Sequence, residues 1–232
     1  MDCMEAMEKM PDRAYQLAIC DPPYGIKMDK GFGGFGVFGV FGKPIARRRY
    51  VGGWDDNRPQ PDYFKQLLRV CDKCLIFGGN FFADMLPQGK HWIVWDKLNT
   101  MPTFGDCELI WTNINRNSVK KITHQWNGLL GKEKMPRIHP SQKPQRLYQK
   151  LLTIYAKPGD RILDTHGGSM SIAIACDIMG YDLDLYEIDK DYFEAGKARL
   201  EQHQRQGGLL FGSNSVYQKQ CDREIYGKEE EL

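Results

Sequence analysis

The 232-residue sequence has no apolar run approaching the roughly 18 residues of a membrane helix, and no charged-then-apolar leader. A cytoplasmic protein without a membrane partner is expected. Charge of one sign is not in excess: the formal net charge is +2, too small to announce nucleic acid by itself. The seven cysteines are odd in number and irregularly spaced, which argues against a disulfide framework and for a reducing compartment. Only Cys71 and Cys74 form a CxxC. With no second such pair and no neighbouring histidine pair, two small buried side chains are expected there and no metal. No internal repeat suggests a solenoid, and no stretch reads as an interdomain linker, so a single domain over residues 1–232 is expected.

What is present alternates. "YQLAIC" (15–20), "CLIFGG" (74–79), "HWIVWDK" (91–97), "CELIWT" (107–112), "VKKITHQW" (119–126), "RILD" (161–164) and "YDLDLYEID" (181–189) read as strands. Between them, 3–10, 61–71, "NFFADML" (80–86), 144–156, 170–180 and 191–206 read as helices, with Asp62 the expected cap of the second. Strand, glycine turn, helix, strand, helix in the last third is the pattern of an α/β, doubly wound, mostly parallel sheet.

Residues 28–58 interrupt this pattern. Phe32, Phe35, Phe38 and Phe41 recur at a strict period of three, each followed by glycine, which fits neither strand nor helix. Arg47, Arg48 and Arg49 close the repeat. A second basic island spans 112–137, where Lys120, Lys121 and four further cations face Glu133 alone.

Two constellations carry chemistry. In "LDTHGGS" a strand ends at Asp164 and a turn through Thr165, Gly167, Gly168 and Ser169 opens a helix. Backbone N–H groups and room for close approach result. Glu187, at the end of the following strand, is placed to accept from ribose hydroxyls. This suits an adenosine cofactor but leaves nicotinamide and S-adenosylmethionine both open. In "DPPYG" (21–25), Pro22 and Pro23 fix the backbone and remove two donors, so the Pro22 carbonyl projects beside the Asp21 carboxylate and the Tyr24 ring. Two acceptors and a ring suit a flat heterocycle with an exocyclic amine. Drawing both amine hydrogens away favours the tetrahedral nitrogen that attacks an electrophilic methyl group.

These residues resemble the DNA amino-methyltransferases. "DPPYG" is similar to their catalytic motif, "RIHPSQKP" (137–144) to the segment before the first helix of their cofactor half, and "ILDTHGGSMSIAIAC" with "YEID" to their cofactor site. Catalytic motif first and cofactor motif last is the permuted order of the beta class, and "LIFGGNFFADMLP", "WIVWDK" and "CELIWT" resemble a phage-type subfamily. The resemblance implies a seven-stranded sheet with one antiparallel strand, S-adenosylmethionine as cofactor and double-stranded DNA as partner. By position it assigns Asp21, Pro22, Pro23 and Tyr24 to the target amine. Asp164, Thr165, Gly167, Gly168, Ser169 and Glu187 fall to the cofactor, with Ser141 and Lys143 at its amino-acid end. N6 of adenine is the expected target. N4 of cytosine, and a DNA-binding protein with a degenerate cofactor site, are the alternatives.

A duplex base must leave the stack to be methylated. Arg47, Arg48, Arg49, Lys120 and Lys121 are the candidate phosphate contacts, and Trp126 is a candidate for stacking. The Gly/Phe repeat is expected beside the target pocket; a low-complexity expansion is the alternative. Met170 stands where the family has glycine, which could crowd a cofactor. Relatives also have a strand upstream of residue 1, so an edge strand is expected to be missing or supplied otherwise. With a short recognition region at 112–137, a short target site or a homodimer that shares recognition is expected.

Overall fold

The computed structural model describes residues 1–27, 53–99, 105–126 and 137–210, and the side chains as far as 206. Most of the Gly/Phe insertion, Arg47, Arg48 and Arg49, and residues 127–136 of the second basic island lie outside these.

The chain runs α1 (Cys3–Lys9), β1 (Tyr15–Cys20), α2 (Pro61–Val70), β2 (Cys71–Phe77), a 3-10 turn (Gly79–Phe82), β3 (Trp92–Asp96), β4 (Cys107–Thr112) and β5 (Lys120–Thr123). It continues through α3 (Gln145–Tyr155), β6 (Arg161–Asp164), α4 (Ser171–Met179), β7 (Asp182–Leu185) and α5 (Lys190–Leu210). The seven strands form one sheet in the order β5-β3-β4-β2-β1-β6-β7. Every pairing is parallel except those of β4, which runs against both β3 and β2. The sheet is therefore α/β and mostly parallel, with edges at β5 and β7.

Both faces of the sheet are covered, which explains why β1 and β2 read as nearly continuous apolar runs rather than as alternation. Leu17, Ile19, Leu75 and Phe77 point to one side, under Leu147, Leu151 and Ile172 of α3 and α4. Ala18, Cys20, Cys74 and Ile76 point to the other, under Met7, Phe64 and Leu67 of α1 and α2. Each fully buried leucine or isoleucine contributes about 1.5–3 kcal/mol by leaving water. The CxxC cysteines belong to this packing: both are buried, and the Cys74 thiol lies 3.7 Å from the Leu67 carbonyl.

Several local expectations shift. Asp62 is not the cap of α2 but lies inside its first turn and pairs with Lys65, while Gln60 holds the cap position and Pro61 opens the helix. β2 begins directly after α2, at Cys71. The helix expected over 80–86 is only the 3-10 turn, preceded by Gly78 at a left-handed φ of 64° and followed by hydrogen-bonded turns from Met85 and Leu86 back to Phe82. No helix among the described residues is long and apolar enough to cross a membrane.

The sheet order reverses at β1 and β6: from β1 the chain moves to β2 on one side, and from β6 to β7 on the other. Beyond the carboxyl ends of two such strands a crevice opens, the usual place for a ligand in this architecture. Asp21 follows β1 there, and Asp164 ends β6.

Candidate active site

Asp21 leaves β1 directly into Pro22 and Pro23. The Pro22 carbonyl has no hydrogen-bond partner among the described residues, so it remains a fixed, open acceptor. Gly25 is pinned at the far end by its N–H to Asp55 Oδ1 at 2.8 Å. Asp21, Pro22, Pro23, Tyr24, Trp54, Asp55 and Ser141 line a cavity of about 20 Å³.

The Tyr24 ring lies stacked on Phe81, with centroids 4.8 Å apart and planes 15° from parallel, and Phe82 meets its edge. Gly78 makes this possible. A Cβ there would come within 2.4 Å of Tyr24 Cε1, so only a bare backbone lets β2 end against the ring.

Around Asp21 the structure assembles a cluster that spacing along the chain does not reveal. The Lys143 ammonium lies 2.5 Å from Asp21 Oδ2 and 3.2 Å from Glu108 Oε1. Lys97 pairs with Glu108 Oε2 at 2.9 Å. The Tyr24 hydroxyl stands 2.6 Å from Asp21 Oδ1 and 2.6 Å from Glu108 Oε1. Burial, with repulsion from Glu108, raises the Asp21 pKa against the pull of Lys143. Burial also works to raise Glu108, but Lys143 and Lys97 outweigh it and hold its carboxyl at about 2.

On the β6 side, burial pushes Asp164 up to about 8, against the N–H of His166 that it accepts at 3.0 Å. Thr165 turns its hydroxyl inward to Tyr63 at 2.7 Å. His166 packs edge-on to Tyr63, and burial lowers it to about 4. Gly167 approaches β7 so closely that a Cβ would lie 2.3 Å from Leu185 Cδ2. Glu187 accepts the N–H of Gly168 at 2.7 Å and that of Asp189 at 2.8 Å, one on each oxygen, leaving further lone pairs on both. Ser169 is buried, with its hydroxyl 3.1 Å from that of Ser171.

Met170 caps α4 with a left-handed φ of 54°, a conformation that favours glycine. Its side chain packs against α5, where a Cβ on Gly196 would meet it at 2.6 Å. The Ser141 hydroxyl and amide both reach His139 Nδ1, at 2.9 and 3.2 Å. His139 sits between Trp54 and Tyr192, and burial lowers it to about 4.

Asp21, Tyr24 and Lys143 thus come together at one point, and Asp164, Gly167, Gly168, Ser169 and Glu187 gather at the adjacent turn. Ser141 lies on the wall of the cavity beside Asp21 and Tyr24. The basic residues are dispersed. Lys120 is exposed on β5, Lys121 pairs with Asp96 at 2.7 Å, and the Trp126 indole donates to the Gln142 carbonyl at 3.1 Å. Glu108, Lys97, Trp54 and His139 were missed from the sequence. For Glu108, an acid within the otherwise apolar "CELIWT" was the available signal.

A DNA methylase family matches this chain over residues 90–198. Over 87 residues, 37% of the chain, it is 32% identical to the type II methyltransferase M2.DpnII of Streptococcus pneumoniae, of which the match covers 32%. It is 22% identical to the type II methyltransferase M.HinfI of Haemophilus influenzae across 87% of the chain and 67% of that protein. The match therefore spans about a third of the first relative's length and about two thirds of the second's. The solved M1.HpyAVI complex with S-adenosylmethionine shares the fold, with a TM-score of 0.54 at 19% identity, covering 86% of this chain and 96% of that one.

Proposed function

We propose that this chain transfers a methyl group from S-adenosylmethionine to the exocyclic amine of a base flipped from duplex DNA, at N6 of adenine, a reading supported by the match of residues 90–198 to a DNA methylase family. One observation carries this reading. The acceptor pair of Asp21 and Pro22 and the carboxylate-lined glycine turn of Asp164 and Glu187 end neighbouring strands, β1 and β6, at the reversal point of the sheet.

The donor set fits the cofactor. Glu187 keeps lone pairs for a ribose diol, the Asp164 carboxyl can pair with an ammonium, and Gly167 and Gly168 leave backbone room. Asp164, Gly167, Gly168, Ser169 and Glu187 would hold it, with Thr165 fixing the turn through Tyr63 and Ser141 lining the approach. When bound, S-adenosylmethionine supplies an electrophilic methyl group on a sulfonium. That Met170 packs against Gly196 of α5 favours the enzyme over a DNA-binding protein with a degenerate cofactor site.

The chain's own residues do the rest. The Pro22 carbonyl and the Asp21 carboxyl accept the two amine hydrogens and draw the nitrogen lone pair out of conjugation. Pro23 keeps that backbone rigid. Tyr24 offers a ring for stacking, backed by Phe81. Lys143 occupies Asp21 Oδ2 at 2.5 Å, so the entering amine must draw that oxygen away from the ammonium.

Duplex DNA is the proposed partner. Lys120, exposed on β5, and Arg47, Arg48 and Arg49 are proposed for phosphate contact. The pairing of Lys121 with Asp96 and the bond from Trp126 to Gln142 mean that both must leave an internal partner to reach DNA. A homodimer sharing recognition would extend so short a surface.

The test is transfer of tritiated methyl groups to duplex DNA, RNA and protein, with modified bases mapped by sequencing and Asp21→Ala as control. Label on adenine N6, lost in Asp21→Ala, is expected. Label on cytosine N4 moves the target base, and label only on RNA or protein overturns the proposal.

A further inference from the structure

The proposed chemistry makes no use of Glu108, yet among the described residues it shares with Asp21 both of the side chains bonded to that carboxyl, Tyr24 and Lys143. The Tyr24 hydroxyl lies 2.6 Å from a carboxyl oxygen of each. A phenol has one proton, so it donates to one carboxyl and must accept from the other or be repelled by it. The cations decide which. Glu108 has Lys97 at 2.9 Å on one oxygen and Lys143 at 3.2 Å on the other, whereas Asp21 has, among the described residues, Lys143 alone. The better-compensated carboxyl keeps its charge.

We propose that Glu108 is a positioning residue, a permanent anion that accepts the Tyr24 hydroxyl hydrogen bond and shares Lys143, so that Asp21 is the carboxyl that gains and loses a proton. With Asp21 protonated, its O–H donates to the Tyr24 oxygen and Tyr24 donates to Glu108. When Asp21 loses that proton to solvent, Lys143 compensates the new charge. During transfer the nitrogen–methyl bond forms, the sulfur–methyl pair stays on sulfur, and the proton shed by the cationic amine passes to ionised Asp21. Opposite displacements of two neighbouring carboxyls agree with this division of labour. Facing Asp21 are Tyr24, Lys143 from the segment before α3, Glu108 from β4, Asp164 at the end of β6 and Tyr148 on α3.

Only the kinetic arm of the test rests on the methyl-transfer reading. Carboxyl-labelled aspartate in the full chain is titrated by carbon NMR, with the Asp21 resonance assigned by Asp21→Asn. In Glu108→Gln, Asp21 loses a repelling charge and gains the whole of Lys143, so its midpoint falls by about one pH unit or more. In Lys97→Met, Glu108 draws Lys143 more strongly, and the Asp21 midpoint rises. Opposite signs from two variants are not what a general loosening of the site would give, and Lys97→Met alone decides if Glu108→Gln does not fold.

In methyl transfer, Glu108→Gln is expected to lower kcat about 10²-fold with KM for DNA within about threefold, and to move the acid limb of the kcat profile to lower pH. Removing the lysine as well, in Glu108→Gln with Lys143→Met, restores part of kcat. An unmoved Asp21 midpoint, or shifts of one sign in both variants, overturns the proposal. A wild-type protein that titrates as expected but methylates no DNA overturns the function and leaves the role of Glu108 standing.

Discussion

The Glu187 carboxylate accepts the backbone N–H of Gly168 at 2.7 Å, tying the end of β7 to the turn that leaves β6. The residue proposed for the ribose therefore also shapes the glycine turn. Glu187→Ala should weaken S-adenosylmethionine binding by about 10–100-fold, the scale of a lost charge-assisted hydrogen bond. Titration calorimetry measures it, and an affinity within twofold of wild type would remove Glu187 from the cofactor site.

Stability should pass through a maximum near pH 6.5. Asp164 keeps its proton up to about 8 when folded but titrates from 3.8 when unfolded. Across that window the unfolded chain binds fewer protons, and stability falls as pH rises. His139 and His166 act oppositely: folded, each is neutral down to about 4, while the unfolded chain protonates below 6.5. Their contribution rises with pH from about 4 to 6.5 and is then complete. From pH 6.5 to 8 the Asp164 contribution alone is a loss of about 2 kcal/mol. Urea unfolding at pH 5, 6.5 and 8 would show the maximum. Asp164→Asn should flatten the upper limb, and an unchanged limb would refute the assignment.

Gly78→Ala tests how the Tyr24 ring is held. The added Cβ would sit 2.4 Å from Tyr24 Cε1 at a φ of 64°, so both backbone and ring must move. A stability loss of about 1–3 kcal/mol is expected from the backbone alone. Displacing the ring should lower kcat about 10²-fold. Cofactor affinity should stay near wild type, because Gly78 follows β2 and is separated by β1 from the strand that carries Asp164; a matching loss of both would mean that the two halves of the site are not separable.

Met170→Gly should relieve the left-handed φ yet empty the packing against Gly196. The net loss is expected at about 1–3 kcal/mol, less than a buried methionine truncation without relief. Because the side chain lies against α5, cofactor affinity should remain within threefold. Tenfold tighter binding would mean that methionine does crowd the ligand.

The two motifs were legible because each is contiguous. A strand delivers Asp21 with its prolines and ring, and another delivers Asp164 with its glycines, so residue type and neighbour order carry the chemistry. Glu108 was not legible, since its contacts with Tyr24 and Lys143 join three separate segments. The Lys143 ammonium could be placed near the site by its motif, but its seat on Asp21 depends on the side chain crossing from the segment before α3. β5 proper covers only Lys120–Thr123 of the expected 119–126, yet the chain stays beside β3, with the N–H groups of His124 and Trp126 donating to the carbonyls of Asp96 and Lys97. The helix expected over 80–86 closes only as short turns, the last from the Leu86 N–H back to Phe82 just before Pro87.

The reversed course of β4 bears on how such sites are altered. In a sheet of forward strands, randomising the residues just after each strand samples the functional edge. A strand running the other way exposes its beginning there instead. Glu108, the second residue of β4, would escape a library built on strand ends, and a graft of β1 and β6 onto another sheet would leave its counter-charge behind.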